Sequence, residues 1–145
     1  MPYTYKFPRP SVTTDCIIFS KNPENRKVLL IKRKNEPFRN MWAFPGGFID
    51  IQEDLKEAAL RELEEESGLT GVSIEQFLTV GTPGRDPRGR TISIIYIGFV
   101  DDQAAEIKAG DDASETSWFE INNLPDLAFD HNLIIIKAIE YICRD

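Results

Sequence analysis

Apolar and polar positions along the chain change period several times, and each change marks an element. "SVTTDCIIFS" (11–20) and "RKVLLIKRK" (26–34) are rich in β-branched and aliphatic residues, and the intervening "KNPEN" has the Pro and Asn of a turn. The pair predicts a hairpin. "MWAFPGG" (41–47) reads as a short strand ending in a Pro-Gly-Gly break. Beyond it Ala59, Leu60 and Leu63 share one flank at roughly 100° per residue, predicting a helix from about Glu53 to Ser67. Asp50 with Glu53 resembles a capping box, and Gly68 followed by Leu69 resembles a glycine stop. "VSIEQFLTVGTP" and "RTISIIYIGFV" are two more strands joined by "GRDPRG", and "SETSWFEI" is the last. "HNLIIIKAIEYICRD" is an apolar helix with Asp130 as its N-cap and His131 in its first turn. The order predicts an α/β fold, a mixed sheet packed between helices, over a single domain spanning 1–145.

The net charge of −7 changes this picture once it is localised. Glu53 to Glu66 holds seven acids against Lys56 and Arg61, so −5 of the total sits on one helix. An acidic chain is a poor generic binder of phosphate backbones, and nucleic acid is not expected as a partner. No stretch approaches the ~20 apolar residues of a membrane span. The start "MPYTYKFPRP" lacks the basic head and apolar run of a signal peptide. A cytoplasmic protein is expected. Cys16 and Cys143 lie far apart in apolar surroundings, without metal-type spacing, and read as buried reduced thiols.

Glu62, Glu65 and Glu66 fall at i, i+3 and i+4, on one flank of the predicted helix. Like charges at these spacings cost a few tenths of a kcal/mol per pair. The negative end of the helix dipole adds ~0.3–1 kcal/mol for each carboxylate in the last turns. A hard divalent cation would compensate. With no thiol or imidazole nearby, the ligand set favours Mg²⁺ or Mn²⁺ over Zn²⁺. Arg61 is placed to pair with Glu57 one turn earlier. A solvated acidic face is the alternative.

The spacing decides between them. Gly47, five residues, Glu53, seven residues, then Arg61-Glu62-Leu63-Glu64-Glu65-Glu66-Ser67-Gly68-Leu69 resembles the signature of the Nudix hydrolases, with its fixed identities and both aliphatic positions matched without a gap. At roughly one chance in twenty per identity, an accidental match is on the order of one in 10⁹. The resemblance implies a Nudix-type α/β/α sandwich with a mixed β-sheet, and metal-dependent hydrolysis of a nucleoside diphosphate linked to another moiety. It implies that Glu62, Glu65 and Glu66 bind metal, that Arg61 orients them, and that the Gly47 region lends backbone groups to a metal. Glu53 would hold water or metal in the outer shell. The family often adds an acid from a downstream loop. Asp111, Asp112 and Glu115 are available, their order before Trp118 favours Asp112, and a capped turn is the alternative.

Arg85, Arg88 and Arg90 fall within six residues of a loop and make a fork-shaped clamp for phosphate or ribose hydroxyls, with a solvated hairpin loop as the alternative. This loop, Pro83, and "LAFDH" (127–131) resemble the ADP-ribose pyrophosphatase branch of the family. The implied reaction converts ADP-ribose and water to AMP and ribose 5-phosphate, in a protein that pairs as a homodimer. Trp42, Phe44 and Phe48 are read first as packing residues, with stacking on adenine as the alternative. Two competing functions remain. One is hydrolysis of another nucleotide, such as a nucleotide sugar or an oxidised nucleoside triphosphate. The other is an ADP-ribose-sensing regulator, disfavoured because all signature glutamates are present and no DNA-reading segment is seen.

Overall fold

The protein is described by a computed structural model covering residues 2–101 and 113–144. Seven strands, β1 (Ser11–Ser20), β2 (Lys27–Arg33), β3 (Trp42–Ala43), β4 (Gly46–Phe48), β5 (Ile74–Val80), β6 (Thr91–Val100) and β7 (Ala113–Glu120), form one sheet. Among the described residues two α-helices, α1 (Leu55–Ser67) and α2 (His131–Ile142), pack with the sheet. Strand β1 runs parallel to β6 over its whole length, from Ser11↔Thr91 to Ser20↔Val100, while β5 is antiparallel to β6. The sheet is therefore mixed.

Alternation along the strands sorts the core into two layers. Ile17, Phe19, Val28, Leu30, Ile95 and Ile97 pack with Ile134, Ile135 and Ala138 of α2. Cys16, Ile18, Leu29, Ile94 and Tyr96 face the other way and pack with Ala59 and Leu63 of α1. Each fully buried Leu or Ile contributes roughly 1.5–3 kcal/mol. The flank predicted from Ala59, Leu60 and Leu63 is the one that meets the sheet.

The feature that makes room for a site is a split in the sheet. β1 and β2 pair only at Phe19↔Val28, beside the 3₁₀ turn Pro23–Asn25, and then part. The segment from β3 to β4 fills the gap: β3 pairs with β2, and β4 pairs with β1 through Thr13↔Phe48, Thr14↔Gly47 and Asp15↔Gly46. The Pro-Gly-Gly stretch read as a break is thus the start of a second short strand. Glycine is needed there, because a Cβ on Gly46 would collide with the Thr14 carbonyl and the Asp15 carboxyl.

One predicted N-cap shifts, and the other keeps its place without a side-chain bond. Asp54 caps α1, its carboxylate accepting from the Leu55 N–H at 2.7 Å, while Asp50 and Glu53 close the preceding turn. Asp130 makes no side-chain cap bond to α2, because Arg85 takes its carboxylate. Gly68, in the left-handed region at φ 79°, ends α1 as expected. Cys143 is exposed, not buried, while Cys16 is buried. No described helix is long and apolar enough to cross a membrane.

Candidate active site

Helix α1 presents its acidic flank to the glycine strand β4. Glu66 is 3 % exposed and accepts a hydrogen bond from the Gly46 N–H at 2.9 Å. Glu62, also buried, sits so close to Gly47 that a Cβ there would lie 2.8 Å from its Oε1. Burial pushes the Glu66 carboxyl well above the usual range, opposed by the Gly46 hydrogen bond and reinforced by the neighbouring Glu62 charge. Burial also raises Glu62, although Arg61 works against it. Thr116 of β7 fixes the end of the helix by donating to the Glu66 carbonyl at 2.9 Å.

Arg61 pairs differently from the expectation. Its Nε and Nη2 form a fork on Glu53 at 2.6 and 2.9 Å, and Nη1 reaches Glu62 at 2.9 Å and Glu65 at 3.2 Å. Glu57 is not its partner, because Glu53 meets the guanidinium fork in plane from the turn before the helix. Hydrogen bonding to Arg61 holds the Glu53 carboxyl below the ordinary value. Glu65, with 44 % of its side chain exposed, is drawn outward to Arg61 instead of inward to Glu62 and Glu66. Among the described residues no three acidic, histidine or cysteine side chains close on one point as a finished metal cage. Glu65 shares Arg61 Nη1 with Glu62, and the two carboxylates over the Gly46–Gly47 strand are Glu62 and Glu66. Those two are hard oxygen donors, buried without enough positive charge, beside a glycine that leaves the space over Glu62 open. They fit a divalent cation of the magnesium class. Asp112 and Asp111 lie outside the described residues; Glu115 sits in β7 opposite Lys32.

The three loop arginines separate. Arg85 is a buried strut: Nε and Nη2 bind Asp130 at 2.8 Å each, and Nη1 binds Ser93 Oγ at 2.7 Å. Arg90 ties the loop base through the Gly81 carbonyl. Only Arg88 faces the open groove. Its guanidinium pairs with Asp86 at 2.8 Å and lies between the Phe48 and Phe129 rings, 4.6 and 5.2 Å from their centroids. The clamp read from spacing is thus one arginine and a support. Trp42 packs edge-on against Phe119, and Phe44 stacks on His131 at 4.4 Å, so both are core. Phe48 remains exposed. His131 is buried, and its Nδ1 accepts from the Phe44 N–H at 3.2 Å, which requires a bare nitrogen there. Burial lowers its pKa to about 3, so it is neutral.

An outer groove of about 360 Å³ is bounded by Arg33, Gly47, Phe48, Glu62, Glu66 and Arg88. It leads inward to a recess of about 100 Å³ between β1 and the loop arginines. Arg33, which spacing did not single out, lines both; its Nε donates to the Pro37 carbonyl at 2.8 Å and its guanidinium lies 5.0 Å from the Phe129 centroid. Asp15 is the other omission. Its signal was present in the sequence, a lone carboxylate inside an apolar strand, since such a group is seldom buried without a purpose.

A mixed sheet split at β1 and β2 sets a glycine strand against an acidic helix, and a family model described as NUDIX domain matches residues 9–140. The chain belongs to this family. It is 50% identical over 127 residues to an ADP-ribose pyrophosphatase of Methanocaldococcus jannaschii, covering 87% of this chain and 71% of that one. It is 33% identical over 136 residues to an ADPR responsive transcriptional repressor of Acinetobacter baylyi, covering 91% of this chain and 54%, about half, of the repressor. Among solved structures, the NUDIX domain of Shewanella oneidensis NrtR complexed with ADP ribose superposes with a TM-score of 0.86 at 34% identity, covering 97% of this chain and 94% of that one.

The glycine strand provides a direct check on the geometry. Gly47→Ala is expected to keep the fold and lower turnover by about 10²-fold, since a catalytic group displaced by ~1 Å loses that much. Steady-state kinetics beside a melting curve measure it; wild-type turnover would show that Glu62 does not act from its present position.

Proposed function

We propose that this Nudix hydrolase cleaves the diphosphate of ADP-ribose, with Mg²⁺ or Mn²⁺, to AMP and ribose 5-phosphate. The carrying observation is the Glu62–Glu66 pair against the Gly46–Gly47 strand, at the mouth of a groove walled by Arg33 and Arg88. The relatives that supply the substrate class are the archaeal ADP-ribose pyrophosphatase and the ADP-ribose complex of the Shewanella domain. When bound, a divalent cation neutralises charge on the phosphate oxygens and makes water a usable nucleophile near neutral pH. Glu62 and Glu66 hold it. With the cation offsetting its burial, Glu66 would be ionised and can also accept the proton of the attacking water. Arg61 spreads Glu53, Glu62 and Glu65 around one guanidinium, fixing the carboxylates before substrate arrives. Arg88, and Arg33 beside it, meet the diphosphate. Glu53 acts from the outer shell. The partner is a small nucleotide; a homodimer acting in the cytoplasm without nucleic acid completes the reading.

A substrate panel with product identification tests the assignment. Faster turnover of nucleoside triphosphates or nucleotide sugars would replace ADP-ribose with those substrates. Tight ADP-ribose binding without turnover would favour a sensor, a reading supported by the similarity to the Acinetobacter repressor. Arg88→Ala is expected to raise KM for ADP-ribose about tenfold with little change in kcat, as for one lost charge-assisted contact. An unchanged KM would remove Arg88 from the binding site.

A further inference from the structure

Two loops border the groove, and one aromatic ring joins them. Residues 34–41 fold back on Arg33. The Arg33 N–H donates to the Met41 carbonyl at 2.9 Å, the Asn40 N–H donates to the Arg33 carbonyl at 2.8 Å, and Arg33 Nε donates to the Pro37 carbonyl. Residues 81–90 carry Arg88, which is forked onto Asp86. Between the loops stands Phe129, two residues before α2. Its ring meets Phe38 of the first loop edge-on, with centroids 4.7 Å apart. Both guanidiniums lie over the same ring, Arg33 at 5.0 Å and Arg88 at 5.2 Å from its centroid.

The backbone is strained where it presents that ring. Phe129 has φ 55° and Phe38 has φ 61°, in the left-handed region where a bulky side chain is an outlier. Such residues persist where their surroundings over-determine them, and they cluster at ligand clamps. Phe129 is held in this way: the Ala128 N–H donates to the Trp42 carbonyl at 2.8 Å, and the His131 N–H to the Ala128 carbonyl at 3.1 Å. What the ring adds is a partner for two cations. Burial, and next the charge of Arg88, lower the Arg33 pKa, so the guanidiniums disfavour each other. Arg88 has Asp86 as a counter-charge, whereas among the described residues no carboxylate forms an ion pair with Arg33. An aromatic face attracts a guanidinium without occupying its N–H donors, which a carboxylate would take. The donors stay available to an anion in the groove.

We propose that Phe129 is a positioning residue, whose ring sets Arg33 and Arg88 at one fixed separation so that both reach a single diphosphate. The inference rests on the assignment of the diphosphate to this groove. Its test compares kcat and KM for ADP-ribose with Mg²⁺ in the wild type, Phe129→Leu and Phe129→Tyr, each also in an Arg33→Ala background, with melting curves alongside. Phe129→Leu keeps apolar volume and loses the ring, and is expected to raise KM about tenfold with kcat within about twofold. Phe129→Tyr keeps the ring and is expected to recover most of the wild-type KM. In the Arg33→Ala background the Leu substitution should raise KM no more than about threefold, because one of its two cations is gone. An unchanged KM in Phe129→Leu, a Tyr variant no better than Leu, or the same factor with and without Arg33 overturns the role. Should Phe129→Leu fail to melt cooperatively, Phe38→Leu loosens the ring from outside and is expected to raise KM about threefold, and an unchanged KM there is equally decisive against it. If the wild type does not hydrolyse ADP-ribose, the proposed function fails instead. Calorimetry with inorganic diphosphate and Mg²⁺ then decides the role of Phe129: binding weakened in the Leu variant and retained in the Tyr variant supports it, and equal or absent binding across the three proteins refutes it.

Discussion

Glu66→Gln is expected to lower turnover by about 10²–10⁴-fold, as for loss of a group that both holds the cation and accepts a proton, and at the same time to raise the melting temperature of the metal-free protein. The opposition of the two effects is the informative part. The folded-state pKa of Glu66 lies above its unfolded value, so between those two values the native state binds more protons than the unfolded state does. Stability on account of this group is fully present below the unfolded value and is lost as pH rises through the folded one. At neutral pH the native state must therefore take up a proton that the unfolded state does not hold, which costs stability, and Gln removes that cost. The expected gain is on the order of 2 kcal/mol, or roughly 5 °C for a domain of this size. It should shrink as pH falls toward the ordinary carboxylate range, and Mg²⁺ should raise the melting temperature of the wild type more than that of the variant. A variant that loses stability at neutral pH, or one that turns over at the wild-type rate, would show that Glu66 is a structural group bound to Gly46 and nothing more.

The same residue shows how far the sequence reaches. Spacing along α1 places the Cβ atoms of Glu62, Glu65 and Glu66 on one flank, and the signature identifies them as a set. Neither determines where a flexible carboxylate turns. Arg61 decides that, and its own choice of Glu53 over Glu57 depends on the turn at Asp50–Glu53, which brings Glu53 across the helix start. The strands and both helices were legible because their periodicity is strong. The pairing of β4 was not, because a Gly-Gly-Phe stretch has no strand pattern of its own and is ordered only by the register Asp15↔Gly46. Asp15 gave a signal without an address, since its surroundings come from β6 and from the loop at Arg85. The box read at Asp50 and Glu53 closes a turn just outside the helix, where the Asp50 N–H donates to Glu53, and Asp54 takes the cap.

The arginine loop shows the same gap between spacing and side-chain direction, and Arg85→Ala exposes it. As one prong of a substrate clamp, Arg85 would affect KM and leave stability alone. In the structure its side chain is 5 % exposed and its fork faces Asp130, 45 residues further along, at the start of α2. Burial works against ionisation of Asp130, and the hydrogen bond and charge of Arg85 outweigh it, holding that carboxyl below its ordinary value. Truncating Arg85 strands a partly buried charge and also deprives Ser93 of its donor. The expected loss is roughly 3 kcal/mol, or about 10 °C in melting temperature, as for a buried pair broken on one side. Asp130→Asn in the same chain should recover part of this, because the amide needs no counter-charge, giving a coupling of at least ~1 kcal/mol between the two sites. Thermal denaturation of the two single variants and the double variant measures the cycle. A melting temperature within a degree or two of the wild type, combined with a raised KM, would return Arg85 to the substrate. The loop and α2 would then need another tie, and among the described residues the direct side-chain link between them is this one pair.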